Sequence, residues 1–75
     1  MVRLRVMELL EERGRSKYWL WQALGHPGYS NFDKMIKNKT YSIRYDMIDK
    51  LMDILECSIE ELFEITDEDE KPFAL

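Results

Sequence analysis

Apolar residues recur along this chain at the three-to-four spacing of amphipathic helices, interrupted by glycine, proline or short polar runs. Met7 and Leu10, with Val6 and Leu9 beside them, put an apolar stripe on a first helix that ends near Arg13-Gly14, where glycine suits a C-cap. Val2, Leu4 and Val6 also alternate with Arg3 and Arg5, the period of a short strand, so the first residues fit either start. Ser16 reads as the N-cap of a second helix, Lys17 to Leu24, with Trp19, Leu20 and Leu24 on its core side. Gly25-His26-Pro27-Gly28 is a dense breaker cluster and predicts a turn. A third helix follows from about Tyr29 to Lys37, with Phe32, Met35 and Ile36 apolar at i, i+3 and i+4, and Asn38 to Ser42 reads as polar loop. A fourth helix begins near Arg44 or Tyr45 and carries Met47, Ile48, Leu51, Met52 and Leu55 at helical spacing. Ser58-Ile59-Glu60-Glu61 has the pattern of a capping box and opens a last short helix with Ile59, Leu62 and Phe63 inward. No strand-turn-strand signal competes. The expected architecture is all-α: a compact five-helix bundle over residues 1–65, then an acidic, flexible tail over 66–75.

Composition narrows the function. The chain has 75 residues, 45% of them hydrophobic and 35% charged, enough for one small domain and too apolar for a disordered chain. No apolar run approaches the roughly 20 residues of a membrane-spanning helix, and the N-terminal stretch has acids inside any candidate signal region. Cys57 is the single cysteine and has no internal disulfide partner, which points to a reducing cytoplasm. His26 is the single histidine, so no zinc ligand set can be assembled, and neither a metal nor another cofactor is expected. No nucleophile–base pairing or glycine-rich phosphate loop is present at usable spacing, and the carboxylates cluster towards the C-terminus. An enzyme is not expected, and no small-molecule ligand or membrane partner is evident.

The net charge of −4 hides a strong polarity. Residues 1–45 hold nine cations against four carboxylates, a net of +5, whereas residues 46–75 hold two cations against eleven carboxylates, a net of −9. Such asymmetry suits a basic face for a polyanion and an acidic end that keeps the molecule soluble.

The second helix, the turn and the third helix have the layout of a helix-turn-helix, whose second member enters the DNA major groove. The polar residues fit that use. Tyr29, Ser30 and Asn31 at the start of the third helix, and Lys34 one turn later, are the residue types that read base edges: asparagine pairs with adenine, and lysine donates to guanine. Lys37, Asn38, Lys39 and Thr40 supply cations and donors where a phosphate strand would pass the end of that helix. Ser16 and Lys17 offer amides and a positive helix end to another phosphate, and Arg44 is placed to reach a phosphate or a minor groove.

The ordered set Ser16-Lys17-Tyr18-Trp19-Leu20, Leu24-Gly25, Phe32 to Thr40, Ser42-Ile43-Arg44-Tyr45 and Leu55 to Phe63 resembles the lambdoid phage repressor and Cro (xenobiotic-response-element) family. Within it the chain is most similar to small single-domain bacterial regulators, and the resemblance covers roughly residues 2–65. It implies a lambda-repressor-like five-helix DNA-binding domain acting as a dimer on a pseudo-palindromic operator. By position, Tyr29, Ser30, Asn31 and Lys34 would face bases, Ser16, Lys17, Lys39 and Thr40 phosphates, and Arg44 the minor groove. Two features depart from the family pattern. Trp21 stands where a small residue is usual, so either the helices splay or the ring turns outward to solvent or a partner. The turn at 25–28 is one residue longer, enough to rotate the third helix by about 100°.

The reading that follows is a sequence-specific regulator of transcription, a repressor, with no residues left for a sensor domain. Two subunits would place their third helices in successive major grooves roughly 34 Å apart. The alternative is a protein-binding module, such as the antitoxin partner of a toxin, using Trp21, Tyr18 or the acidic C-terminal helix.

Overall fold

A computed structural model describes residues 1–66 of the chain. Seven elements follow in order: β1 (Val2–Leu4), α1 (Val6–Glu12), α2 (Lys17–Ala23), α3 (Tyr29–Ile36), α4 (Tyr45–Leu55), α5 (Ile59–Leu62) and β2 (Phe63–Ile65). The five helices lie where the apolar periodicity places them, and a small two-stranded sheet is added to them. Of the expected tail, only Thr66 falls within the described residues. No helix among those residues is long and apolar enough to cross a membrane.

Capping residues set the helix boundaries. The Ser16 hydroxyl accepts from the Trp19 amide at 3.0 Å and starts α2. Ser58 and Glu61 form a reciprocal capping box around α5. α4 stops at Glu56, which takes a left-handed conformation while the next amide, that of Cys57, returns to the Met52 carbonyl. Arg13 locks the end of α1 against the end of α4, its Nε donating to the Leu55 carbonyl at 2.7 Å.

The core is built from Leu4, Val6, Leu9, Leu10, Leu20, Phe32, Met35, Ile36, Leu51, Leu55 and Leu62, with Trp19, Trp21, Leu24 and Ile43 among the half-buried side chains packed on it. Two residues expected to face inward do not. Ile59 is 51% exposed because α5 is a single turn whose buried contact is made by Leu62. Met7 lies on the solvent side of α1, whose core contacts come from Val6, Leu9 and Leu10.

β1 and β2 pair antiparallel in the register Val2↔Ile65, Arg3↔Glu64 and Leu4↔Phe63, so the first and last described segments close on each other. The period of two puts Val2, Leu4, Phe63 and Ile65 on one face. Leu4 is buried and Phe63 half-buried there, while Arg3 and Glu64 form an ion pair at 3.6 Å on the other face. Arg5 extends the closure, its amide donating to the Leu62 carbonyl at 2.8 Å.

One side chain completes the outer edge of β1. The Asn38 carboxamide accepts from the Leu4 amide at 2.7 Å and donates to the Leu4 carbonyl at 3.0 Å, doing for that residue what a third strand would do. Asn38 itself is left-handed, at φ 61°, a conformation asparagine tolerates better than most residues. Asn38, expected to contact a phosphate, thus has both polar ends of its side chain engaged inside the fold. Asn38→Ala should lower stability by about 2 kcal/mol in a urea or thermal melt, because it strands two polar groups and strains the backbone. Asn38→Gly, which relieves the strain alone, should lose less.

Candidate nucleic-acid interface

Helical geometry divides α3 into three sides. Phe32, Met35 and Ile36 enter the core. Tyr29, Asp33 and Lys37, spaced four apart, form a flank turned towards the start of α2, where Lys17 meets them. Ser30, Asn31 and Lys34 make a ridge exposed to solvent. None of these three side chains is held by a hydrogen bond or ion pair among the described residues, so the ridge keeps its donors and acceptors for an outside partner.

The flank behaves differently. Lys17 Nζ lies 2.8 Å from Asp33 and 5.5 Å from the centre of the Tyr29 ring, and Lys37 Nζ reaches the same carboxylate at 3.2 Å. The hydrogen bond from Lys17 holds the Asp33 carboxyl below its ordinary range, with Lys37 adding to the effect, and the Asp33 bond raises Lys17 in turn. Since the folded carboxyl is depressed, its contribution to stability is complete above about pH 4 and is lost on acidification below that. Asp33 thus occupies two of the expected phosphate cations.

The 25–28 turn between the helices contains two consecutive left-handed residues, Gly25 at φ 87° and His26 at φ 58°. The Trp21 ring does not project freely into solvent. It lies half-buried over this turn, with Nε1 donating to the Pro27 carbonyl at 2.8 Å and the ring 4.4 Å from that of His26.

The family model of the Cro/C1-type HTH DNA-binding domain matches residues 5–68, most of the chain. The chain belongs to that family. No curated protein and no solved structure matches it. As a Cro/C1-type domain it is a DNA-binding regulator of transcription, in a family that binds rather than catalyses. The HTH pair is α2 and α3.

Around this Cro/C1-type pair the expected contact residues separate. Ser30, Asn31 and Lys34 come together on the ridge, and Tyr29 stands beside them on the flank, 45% exposed, with its ring against Trp21 and Phe32. Ser16 caps α2 and is exposed. Lys39 and Thr40 are exposed in the loop, with the Lys39 amide bonded to the Lys34 carbonyl at 2.8 Å, so the loop stays against the last turn of α3. Arg44 is exposed at the start of α4, where its guanidinium engages both Asp46 oxygens at 3.0 and 3.2 Å.

Two cations escaped the sequence reading. Arg15, just before the α2 cap, lies 4.6 Å from the centre of the Trp19 ring and has no carboxylate partner among the described residues. Its place beside an N-cap serine was a usable signal. Arg3 borders one surface groove with Lys37, Lys39 and Thr40, a juxtaposition that only the closed chain ends create. Asp33→Asn should free Lys17 and Lys37, raising duplex affinity about three- to tenfold at low salt and steepening its salt dependence, as read by fluorescence anisotropy. Unchanged affinity would show that those lysines take no part in phosphate binding.

Proposed function

We propose that this domain is a repressor that acts in the cytoplasm as a homodimer, each copy laying α3 in a major groove of its operator and blocking polymerase by occupancy. The observation that carries the reading is the ridge of α3: Ser30, Asn31 and Lys34 are exposed and internally unbonded, on a helix whose opposite side is anchored by three core residues. A helix is narrow enough for the roughly 12 Å major groove. There Asn31 is suited to the paired donor and acceptor of adenine, Lys34 to the acceptors of guanine, and the Ser30 hydroxyl to either. Lys39, Thr40, Ser16 and Arg15 supply phosphate contacts that set register on the duplex. Tyr29, Lys17 and Lys37 border that contact, and Arg44 serves it once it exchanges Asp46 for a phosphate or the minor groove.

The protein-binding alternative loses part of its support, since the indole expected to face a partner is occupied by Pro27 and His26. Selection of bound duplexes from a random pool tests the proposal directly. A recovered motif with two-fold symmetry and half-sites about one helical turn apart is expected. With that site, Lys34→Ala should cost about 1–3 kcal/mol and relax the preference at one base pair. Lys39→Ala should weaken all duplexes alike and reduce the salt slope by about 1. A pool that yields no motif, with binding indifferent to salt, would favour the protein-binding module.

A further inference from the structure

The turn that sets the direction of α3 has few means of holding itself. Its residues Gly25 and His26 are both left-handed, and Gly28, the N-cap of α3, brings no side-chain cap. Besides the Gly25 amide, which donates to the Gln22 carbonyl at 3.0 Å, the contacts that fix it converge on Trp21. The Trp21 carbonyl accepts from the His26 amide at 3.1 Å, the indole N–H donates to the Pro27 carbonyl, and the indole lies against the imidazole with centres 4.4 Å apart and planes tilted by 30°. The edge of the same system meets Tyr29, the first residue of α3, with ring centres 5.5 Å apart and planes at 81°.

We infer that Trp21 is a positioning residue for sequence recognition, its indole fixing the 25–28 turn and so the angle at which α3 presents Ser30, Asn31 and Lys34. The inference rests on the proposed reading of bases by α3. Ser30 and Asn31 directly follow the pinned Tyr29, so a loosened turn displaces them first. Hydrogen bonds to base edges depend steeply on direction, whereas attraction between lysines and phosphates does not. Loss of the peg therefore removes discrimination and leaves non-specific binding intact. A side chain that served only stability would leave the ratio of the two unchanged in any variant that folds.

The test compares wild type, Trp21→Phe and His26→Gly on the selected site and on a scrambled duplex of equal length, at two salt concentrations. Trp21→Phe keeps an aromatic ring and lacks the N–H donor. His26→Gly removes the stacked imidazole while relieving the left-handed backbone, so its melting temperature should not fall. The specific-to-scrambled affinity ratio should drop about tenfold in Trp21→Phe and about threefold in His26→Gly, with the salt slope on scrambled duplex as in wild type. Amide exchange at residues 26–31 should accelerate in both. A folded Trp21→Phe with the wild-type ratio, or a proportional loss on both duplexes, would overturn the inference. Should Trp21→Phe fail to fold, His26→Gly decides alone by the same ratio. Absence of any preference in wild type is a separate outcome that removes the base-reading proposal itself.

Discussion

An eight-residue helix does not hold itself in place, and a helix that must present unbonded side chains to a partner cannot be gripped on that side. α3 is under both constraints. Its position therefore depends on the burial of Phe32, Met35 and Ile36 together with what is attached at each end. At the far end the chain turns back through Asn38, whose carboxamide is bonded to Leu4 on both sides. At the near end the indole of Trp21 closes on the turn. Each anchor is one side chain making more than one contact, which fixes an orientation where a single hydrogen bond would leave a pivot.

The Asn38 attachment works because Leu4 is itself immobile. Leu4 is buried and lies in β1, which is zipped to β2 by the closure of the two ends. Arg5 carries that closure into α5 through the Leu62 and Glu61 carbonyls. The start of the described chain, its end and the end of α3 thus meet at one place. With eleven buried apolar side chains among the described residues, such cross-links between distant segments do work that a larger core would do by packing alone.

The helices were legible because each obeys a local rule: apolar spacing for α1 to α4, a capping box for α5, and breakers between α2 and α3. The sheet was half legible. Val2 and Leu4 alternate with Arg3, but their partners lie some sixty residues away, and Phe63 reads equally well as the last residue of a helix. The structural role of Asn38 is hidden from the sequence for a chemical reason. A polar residue in a lysine-rich loop has the same identity whether it serves a phosphate or a strand edge, and only the position of Leu4 decides between them. Trp21 needs space by its size, and only the structure shows where the ring goes: half-buried over the turn, against His26 and the Pro27 carbonyl.

Net charge is a poor guide to how such a molecule meets a polyanion. Carboxylates more than about 8 Å from a phosphate strand are largely screened at physiological salt, so what counts is where each one sits. Asp33 is different because it sits on α3 itself and already engages Lys17 and Lys37. With those two cations occupied, the cations near the helix pair without a carboxylate partner among the described residues are Arg15, Lys34 and Lys39, and only Lys34 is on the exposed ridge of α3. On the proposed reading, a duplex would then be attracted by few cations, and a larger share of its affinity would come from groups that distinguish one base from another. Because the side chains of the ridge make no hydrogen bond or ion pair within the described residues, their identity is free to vary without cost to the frame. The carboxylate on the flank limits how far attraction alone can substitute for a match.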